Sequence, residues 1–268
     1  MVGETARVWL QGDTIVVLTD LAPIALLPQF RREPDAMPFS NFKVLTFDVV
    51  GTLIDFETGI LQVVRRIAGK SEQELSDETI FASYLRGREI HYQRSSEVMA
   101  DVYLHLAREL DLPANSTAAE AFQMSVYHWP AFSDSVAALK RLRRQFRLVA
   151  MTNADRAAFS FYAHTLGNPF HDSVTTDDTG CTKPNPQFFA FNRGRQSAFG
   201  YKQEDILHVA QSQHHDIRIA KSLGYRTCWI ERRQGQKGFG GTPAVTTLTH
   251  PDFHYDSLKA LADAVERE

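Results

Sequence analysis

The chain has 268 residues, 43% hydrophobic and 23% charged, with a net charge of −3. That length holds one large or two modest domains with a real core, and the near-neutral balance argues against nucleic acid or an anionic membrane as partner. Two cysteines, Cys181 and Cys228, are too few for a disulfide scaffold and fit a reducing cytoplasm.

Residues 1–40 read as an N-terminal extension. Its apolar patches between residues 8 and 27 are interrupted by Gln11, Asp13 and Asp20 and followed by Pro23 and Pro28. A secretory signal needs a basic start and an unbroken apolar stretch, and the segment is too polar for a membrane span, so neither is expected. Arg31 to Pro38 reads as a polar linker, and Met37 directly precedes what reads as a complete domain start. An accessory strand pair and an upstream start-site artefact both stay open for residues 1–36.

The run Lys43 to Val50 is β-rich and apolar, as expected of a strand buried on both faces, and it ends in the turn signal Gly51-Thr52. From Gly59 to Tyr127 the pattern turns helical. Strand signals return at Leu148–Met151, Ile206–Val209 and Thr227–Ile230, with helical stretches at Val136–Gln145 and at Asp216–Leu223, the latter stopped by Gly224. This alternation predicts an α/β fold, a doubly wound parallel-sheet core at 41–57 and 131–268 with an inserted α-helical cap at 58–130. Such an insertion sits over the carboxyl ends of the strands, where these sheets bind ligands.

Four segments at strand ends carry candidate chemistry: Phe47-Asp48-Val49-Val50-Gly51-Thr52-Leu53, Met151-Thr152-Asn153-Ala154, Lys183-Pro184-Asn185-Pro186, and His208 through Asp216. Singly, each has a plain structural reading: turn former, helix cap or solvated lysine. In order, they resemble the four motifs of the haloacid dehalogenase superfamily, with Asp48, Thr152, Lys183 and Asp216 at the matching positions and the likeness running from Lys43 to Arg233. A desolvated, oriented carboxylate is a competent nucleophile. Its ester needs a base to activate water, and a lysine keeps two close carboxylates ionised.

Phosphatases of that superfamily read Asp-x-Asp-Gly-Thr in the first motif, the second Asp acting as general acid; here the position is Val50. Their extra magnesium-holding acid at the fourth motif is here Gln211, and Mg²⁺ wants carboxylates. The pattern is closer to the metal-independent 2-haloacid dehalogenases of the L-specific type II branch, so the resemblance implies no cofactor and no metal. Their cap arginine, in Arg-x-x-x-Leu-x-Tyr, matches Arg86 in Arg86-Gly87-Arg88-Glu89-Ile90-His91-Tyr92, with Arg88 and Arg94 nearby. Two positions depart: Gln211 replaces a common serine and Phe189 a tyrosine, and both are expected near the active site. The stretch from His208 to Gly240 is similar to a ring-opening relative, L-azetidine-2-carboxylate hydrolase, which stays open as an alternative.

The resemblance implies that Asp48 attacks the α-carbon of a small-molecule carboxylic acid substrate, with inversion. Thr52 and Asn153 are expected to orient the nucleophile, Thr152 to receive the substrate carboxylate, and Arg86 to stabilise the departing anion. Lys183 is expected to pair with Asp48 and Asp216, and Asp216 to activate water. His214 and His215 are expected to line the pocket, with His215 touching substrate, because adjacent residues on a turn rarely converge on one metal. The basic run Arg141, Arg143, Arg144 and Arg147 reads as a solvated helix face, and Asp177 and Asp178 as loop residues. Members of the superfamily are often homodimers; oligomeric state is not read from this sequence. A non-catalytic binding protein on the same scaffold is a separate reading, opposed by the joint presence of Asp48, Lys183 and Asp216.

Overall fold

The computed structural model describes residues 7–11, 14–18, 37–91 and 95–268. Tyr92 and Arg94 of the arginine motif, and the rest of the N-terminal extension, lie outside the described residues. Within the extension, β1 (Arg7–Gln11) and β2 (Thr14–Leu18) pair antiparallel, from Arg7 opposite Leu18 to Gln11 opposite Thr14. This hairpin belongs to a unit of its own, Met1–Arg31, and residues from Arg32 onward form a second.

The second unit is built on a six-stranded sheet of β3 (Val44–Phe47), β4 (Arg147–Met151), β5 (Asp172–Val174), β6 (Ile206–Ala210), β7 (Arg226–Ile230) and β8 (Phe253–Tyr255). The order is β5-β4-β3-β6-β7-β8, and every pairing is parallel. The predicted α/β class is what the chain adopts. β3 is buried along its length because both faces are covered: Leu45 and Phe47 join one apolar cluster while Val44 joins another. Chain order reverses direction between β3 and β6, so the crevice outside their carboxyl ends is where such a sheet receives a ligand. Two edge strands of three residues each, β5 and β8, escape a reading by periodicity because so few alternations are too short to register.

Between β3 and the next core helix the chain inserts α1 (Phe56–Ala68), α2 (Asp77–Ile90), α3 (Ser95–Glu109) and α4 (Ser116–Ser125). Asp55 starts α1 by accepting the Thr58 N–H at 3.0 Å, and Gly69, left-handed at φ 63°, ends it. Ile60, Val63 and Val64 form the buried stripe of α1, at the spacing of one helical face. The two linkers of the insertion meet: the Asp55 N–H donates to Pro130 O at 2.7 Å and the Phe132 N–H to Leu53 O at 3.0 Å.

The remaining helices flank the sheet: α5 (Ser135–Leu142), α6 (Arg156–Thr165), α7 (Thr176–Thr179), α8 (Pro186–Ser197), α9 (Arg218–Ser222) and α10 (Leu258–Glu266). Asp177 and Asp178 sit in the short helix α7, not in a loop, and Asp178 completes a capping box with Thr175. Arg141, in the basic run, pairs across to Asp263 and Glu266 on α10. No helix among the described residues is long and apolar enough to cross a membrane.

Candidate active site

Asp48 follows β3 directly and continues its ladder, its N–H donating to Val209 O at 3.0 Å. The chain then folds back at once. Leu53 and Ile54 both donate to Val49 O, and Gly51 takes φ 93°, a left-handed value that a side chain resists. This turn returns Thr52 to Asp48: Thr52 Oγ1 donates to Asp48 Oδ2 at 2.6 Å and accepts the Gln211 N–H at 2.8 Å. Arg232 locks the turn from outside, donating to Thr52 O at 2.9 Å while pairing with Asp134 at 2.9 Å.

Lys183 reaches the same point from the loop before α8. Asn153 holds that loop by both ends of its amide, accepting the Lys183 N–H at 2.7 Å and donating to Lys183 O at 3.0 Å. The Lys183 ammonium, only 1% exposed, spends its three protons on Asp48 Oδ1 at 2.9 Å, Asp216 Oδ1 at 2.6 Å and Met151 O at 2.8 Å.

Asp216 arrives by an unusual turn. After β6, Ser212 Oγ caps the His215 N–H at 2.9 Å, and Ser212 O accepts from both Asp216 and Ile217, a single π-helical turn over Gln213–Ile217. The cap of this segment is therefore Ser212, and Asp216 is free to turn inward. Its Oδ1 takes Lys183 and also His208 Nε2 at 3.0 Å. Its Oδ2 is buried with no hydrogen-bond partner among the described residues.

The electrostatics split the two carboxylates. Burial, reinforced by the Asp216 charge, pushes Asp48 above the usual range against the pull of Lys183 and Thr52. Burial acts on Asp216 too, but Lys183 and His208 outweigh it and hold the carboxyl down to about 2. Lys183 is held above its ordinary value because the two carboxylates overcome its own burial. The more basic carboxylate is thus the one at the strand end, and the acid that stays ionised over the widest pH range is the one with a spare oxygen.

Over this triad lies a cavity of about 570 Å³, lined by Asp48, Lys183 and Asp216 from the core and by Tyr84, Arg88 and Trp129 from the cap side. Thr242 and its neighbours close one wall, tied to α1 where Glu57 accepts the Gly241 N–H at 2.8 Å and pairs with Arg233. His214, His215, Gln211 and Asn153 also line the cavity. Burial lowers His215 to about 4, so its ring is neutral near pH 7 and cannot serve there as an acid.

The structure does not bring every expected residue here. Arg86 lies on the outer side of α2, half exposed, and its guanidinium is held by Glu109 at 2.7 Å; Arg88, two residues on, is the arginine at the cavity. Arg88 Nη1 is buried with no hydrogen-bond partner among the described residues. Phe189 is fully buried beneath the sheet, edge-on to His208 and Tyr225, and is a core residue. Thr152 is also fully buried, its hydroxyl accepting the Ala154 N–H at 3.1 Å, so it shapes the loop and does not face the cavity. Asn153 orients Lys183, not Asp48. Sequence reasoning missed His208, Arg88, Arg232 and Trp129, all of which matter through tertiary contacts.

Paired acids at strand ends invite a divalent cation such as magnesium, but most of the donors here are already engaged. Both Asp48 oxygens and Asp216 Oδ1 already accept from Lys183, Thr52 and His208, and an ammonium stands between the carboxylates. Val50 and Gln211 add no anionic oxygen, and the described residues contain no group of three or more His, Cys, Asp or Glu placed to hold a metal. These donors do not fit magnesium, which takes open carboxylate oxygens in near-octahedral array.

Comparisons with known proteins give the family and the fold. Residues 42–224 match the family model "Hydrolase: haloacid dehalogenase-like hydrolase". The chain is similar to haloacetate dehalogenase H-2 of Moraxella sp. (strain B), 26% identical over 199 residues, covering 72% of this chain and 87% of that protein. It is also similar to glyceraldehyde 3-phosphate phosphatase of Methanopyrus kandleri, 26% identical over 238 residues, covering 83% and 97%. In fold it resembles L-2-haloacid dehalogenase from Xanthobacter autotrophicus with chloropropionic acid covalently bound, at TM-score 0.64 and 17% identity, covering 84% of this chain and 98% of that one.

Proposed function

Since the chain belongs to the haloacid dehalogenase-like hydrolases, we propose that it displaces a leaving group from the α-carbon of a 2-substituted carboxylic acid through an ester of Asp48. The observation that carries this reading is the asymmetric pair under one lysine: a desolvated, basic Asp48 beside a low-lying Asp216 with an unpartnered oxygen. The leaving group favours carbon over phosphorus because Val50 stands where a phosphatase needs a general acid and the donor set does not fit magnesium. The likeness to a haloacetate dehalogenase points the same way.

Asp48 attacks the α-carbon with one carboxylate oxygen, and the bond to the leaving group breaks, its electron pair departing as the anion. Lys183 and Thr52 fix the attacking carboxylate at 2.9 and 2.6 Å, so little orientational entropy remains to be lost. The departing anion is met by Arg88, whose buried Nη1 has no hydrogen-bond partner among the described residues. Asp216 Oδ2 then takes a proton from water, and the oxygen of that water attacks the ester carbonyl carbon. The acyl bond breaks, the 2-hydroxy acid leaves with the proton from Asp216, and Asp48, left as the carboxylic acid with the oxygen from water, releases its proton to solvent and is regenerated as the carboxylate.

Ring opening of a strained cyclic 2-amino acid such as L-azetidine-2-carboxylate is the second reading. Glu89 beside Arg88 at the cavity favours it, a carboxylate and a cation together suiting a substrate that carries both charges. The test is chloride release from L-2-chloropropionate in EDTA, with Asp48→Asn as control. Release that depends on Asp48 and ignores the chelator supports the first reading. No halide release with azetidine ring opening transfers the mechanism to the second, and turnover of neither acid sinks both.

A further inference from the structure

Beneath the triad lies a titratable side chain that the mechanism has not used. His208 is fully buried on β6 and stands opposite Thr46 in the parallel register with β3. Its Nδ1 meets Thr46 Oγ1 at 2.9 Å and its Nε2 meets Asp216 Oδ1 at 3.0 Å. Phe189 packs edge-on against its ring at 5.3 Å, within the buried core.

The donor in the bond to Asp216 can be assigned. Asp216 is ionised and can only accept, so His208 donates from Nε2, and the contact between Nδ1 and the Thr46 hydroxyl holds the ring from its other side. His208 and Lys183 therefore both donate to the same oxygen, Oδ1, and the second oxygen has no hydrogen-bond partner among the described residues. Two donors converging on one oxygen pin the carboxylate plane.

We infer that the Thr46–His208 pair is a positioning relay that dedicates Asp216 Oδ2 to the water that cleaves the Asp48 ester, and that it acts chiefly on this second step. His208 makes no hydrogen bond to Asp48 and does not line the cavity, so it reaches the first chemical step only through Asp216 and Lys183. This inference rests on the ester reading above. It places the control of ester hydrolysis in a strand residue outside the segments that carry the nucleophile and the lysine.

The test follows L-2-chloropropionate, or L-azetidine-2-carboxylate if that is the acid turned over, with acid quench and mass analysis of the Asp48 peptide. In His208→Phe, which keeps an aromatic ring but loses the donor, kcat falls about tenfold or more, a share of what a positioned base contributes. kcat/KM stays near the wild-type value, and the ester accumulates at steady state. His208→Gln, whose side-chain amide can still donate to Oδ1, recovers most of kcat. Thr46→Val moves kcat in the same direction by less, and serves if His208→Phe does not fold. Equal losses in kcat and kcat/KM with no accumulated ester would overturn the relay, as would an unchanged kcat in His208→Phe. Asp216→Asn is the discriminating control: ester trapped there without any response to His208 defeats the relay alone, whereas no ester in Asp216→Asn defeats the Asp48 reading and the relay with it.

Discussion

Lys183 Nζ stands 2.9 Å from Asp48 Oδ1, and this one buried ammonium is what keeps a desolvated carboxylate ionised at a strand end. Removing it as Lys183→Met leaves two buried acids sharing no cation. The loss is expected at about 3–5 kcal/mol, the usual cost of breaking a buried pair from one side. Asp48 then rises further above its unfolded value, so its protonated form stabilises the fold at low pH and that contribution disappears as pH rises. Urea unfolding of Lys183→Met should show stability falling more steeply with rising pH than in the wild type, with activity lost throughout.

Arg88 and Arg86 separate cleanly. Arg88→Met removes a buried donor from the cavity and is expected to lower kcat/KM about a hundredfold, the size of effect of losing one preorganised charge-stabilising donor. Arg86→Met removes only the surface pair with Glu109 and should leave kcat/KM within about twofold and unfolding nearly unchanged. Steady-state kinetics on the two variants side by side decides between the two positions.

His215 gives the fold a pH signature distinct from that of Asp216. Its folded value is lowered to about 4 by burial, while the unfolded ring titrates near about 6.5. Between those values the unfolded chain binds a proton that the folded chain does not, so stability rises with pH across that window. The expected gain is on the order of 3 kcal/mol, and His215→Gln should flatten it. Asp216, held at about 2, adds stability that is complete above about 3.8 and lost only as pH falls towards about 2. Unfolding titrations of the two proteins between about pH 4 and about pH 7 check the assignment.

Gly59 on α1 is the seat of Trp129: a methyl group there would overlap the indole ring at Cδ1. Gly59→Ala gains about 1 kcal/mol of helix propensity but must push a buried indole aside, and overpacking of that kind costs about 1–3 kcal/mol. Because Trp129 lines the cavity, the displaced ring also narrows the site. Lower stability and a raised KM are expected together, and Gly59→Ala with unchanged KM would detach Trp129 from substrate binding.

That Asp48, Lys183 and Asp216 come together was legible in the sequence because each follows a strand or leads into a helix within a short stretch of chain, where local pattern sets direction. The cap arginine was not. Arg86 and Arg88 are two residues apart on α2, about 200° around a helix, so they face opposite ways, and which face meets the cavity depends on how α2 packs. Phe189 failed for a related reason: its spacing from Lys183 is right, but α8 turns it under the sheet against His208. His208 itself reads as one polar residue in a buried strand, and only the register with Thr46 and the π turn that carries Asp216 give it a task. The alternation of strands and helices gave the sheet because that pattern repeats over many residues, whereas β5 and β8 are too short to carry one.

The central claim is the covalent ester on Asp48, and one turnover in isotopic water tests it most directly. With enzyme in excess over the acid it turns over and the solvent carrying heavy oxygen, the oxygen that reaches the product comes from Asp48, and solvent oxygen replaces it in the carboxylate. The account predicts a mass gain of one heavy oxygen in the peptide containing Asp48 and an unlabelled 2-hydroxy acid. Label in the product with none in that peptide would mean that water attacks the substrate directly, and would contradict it.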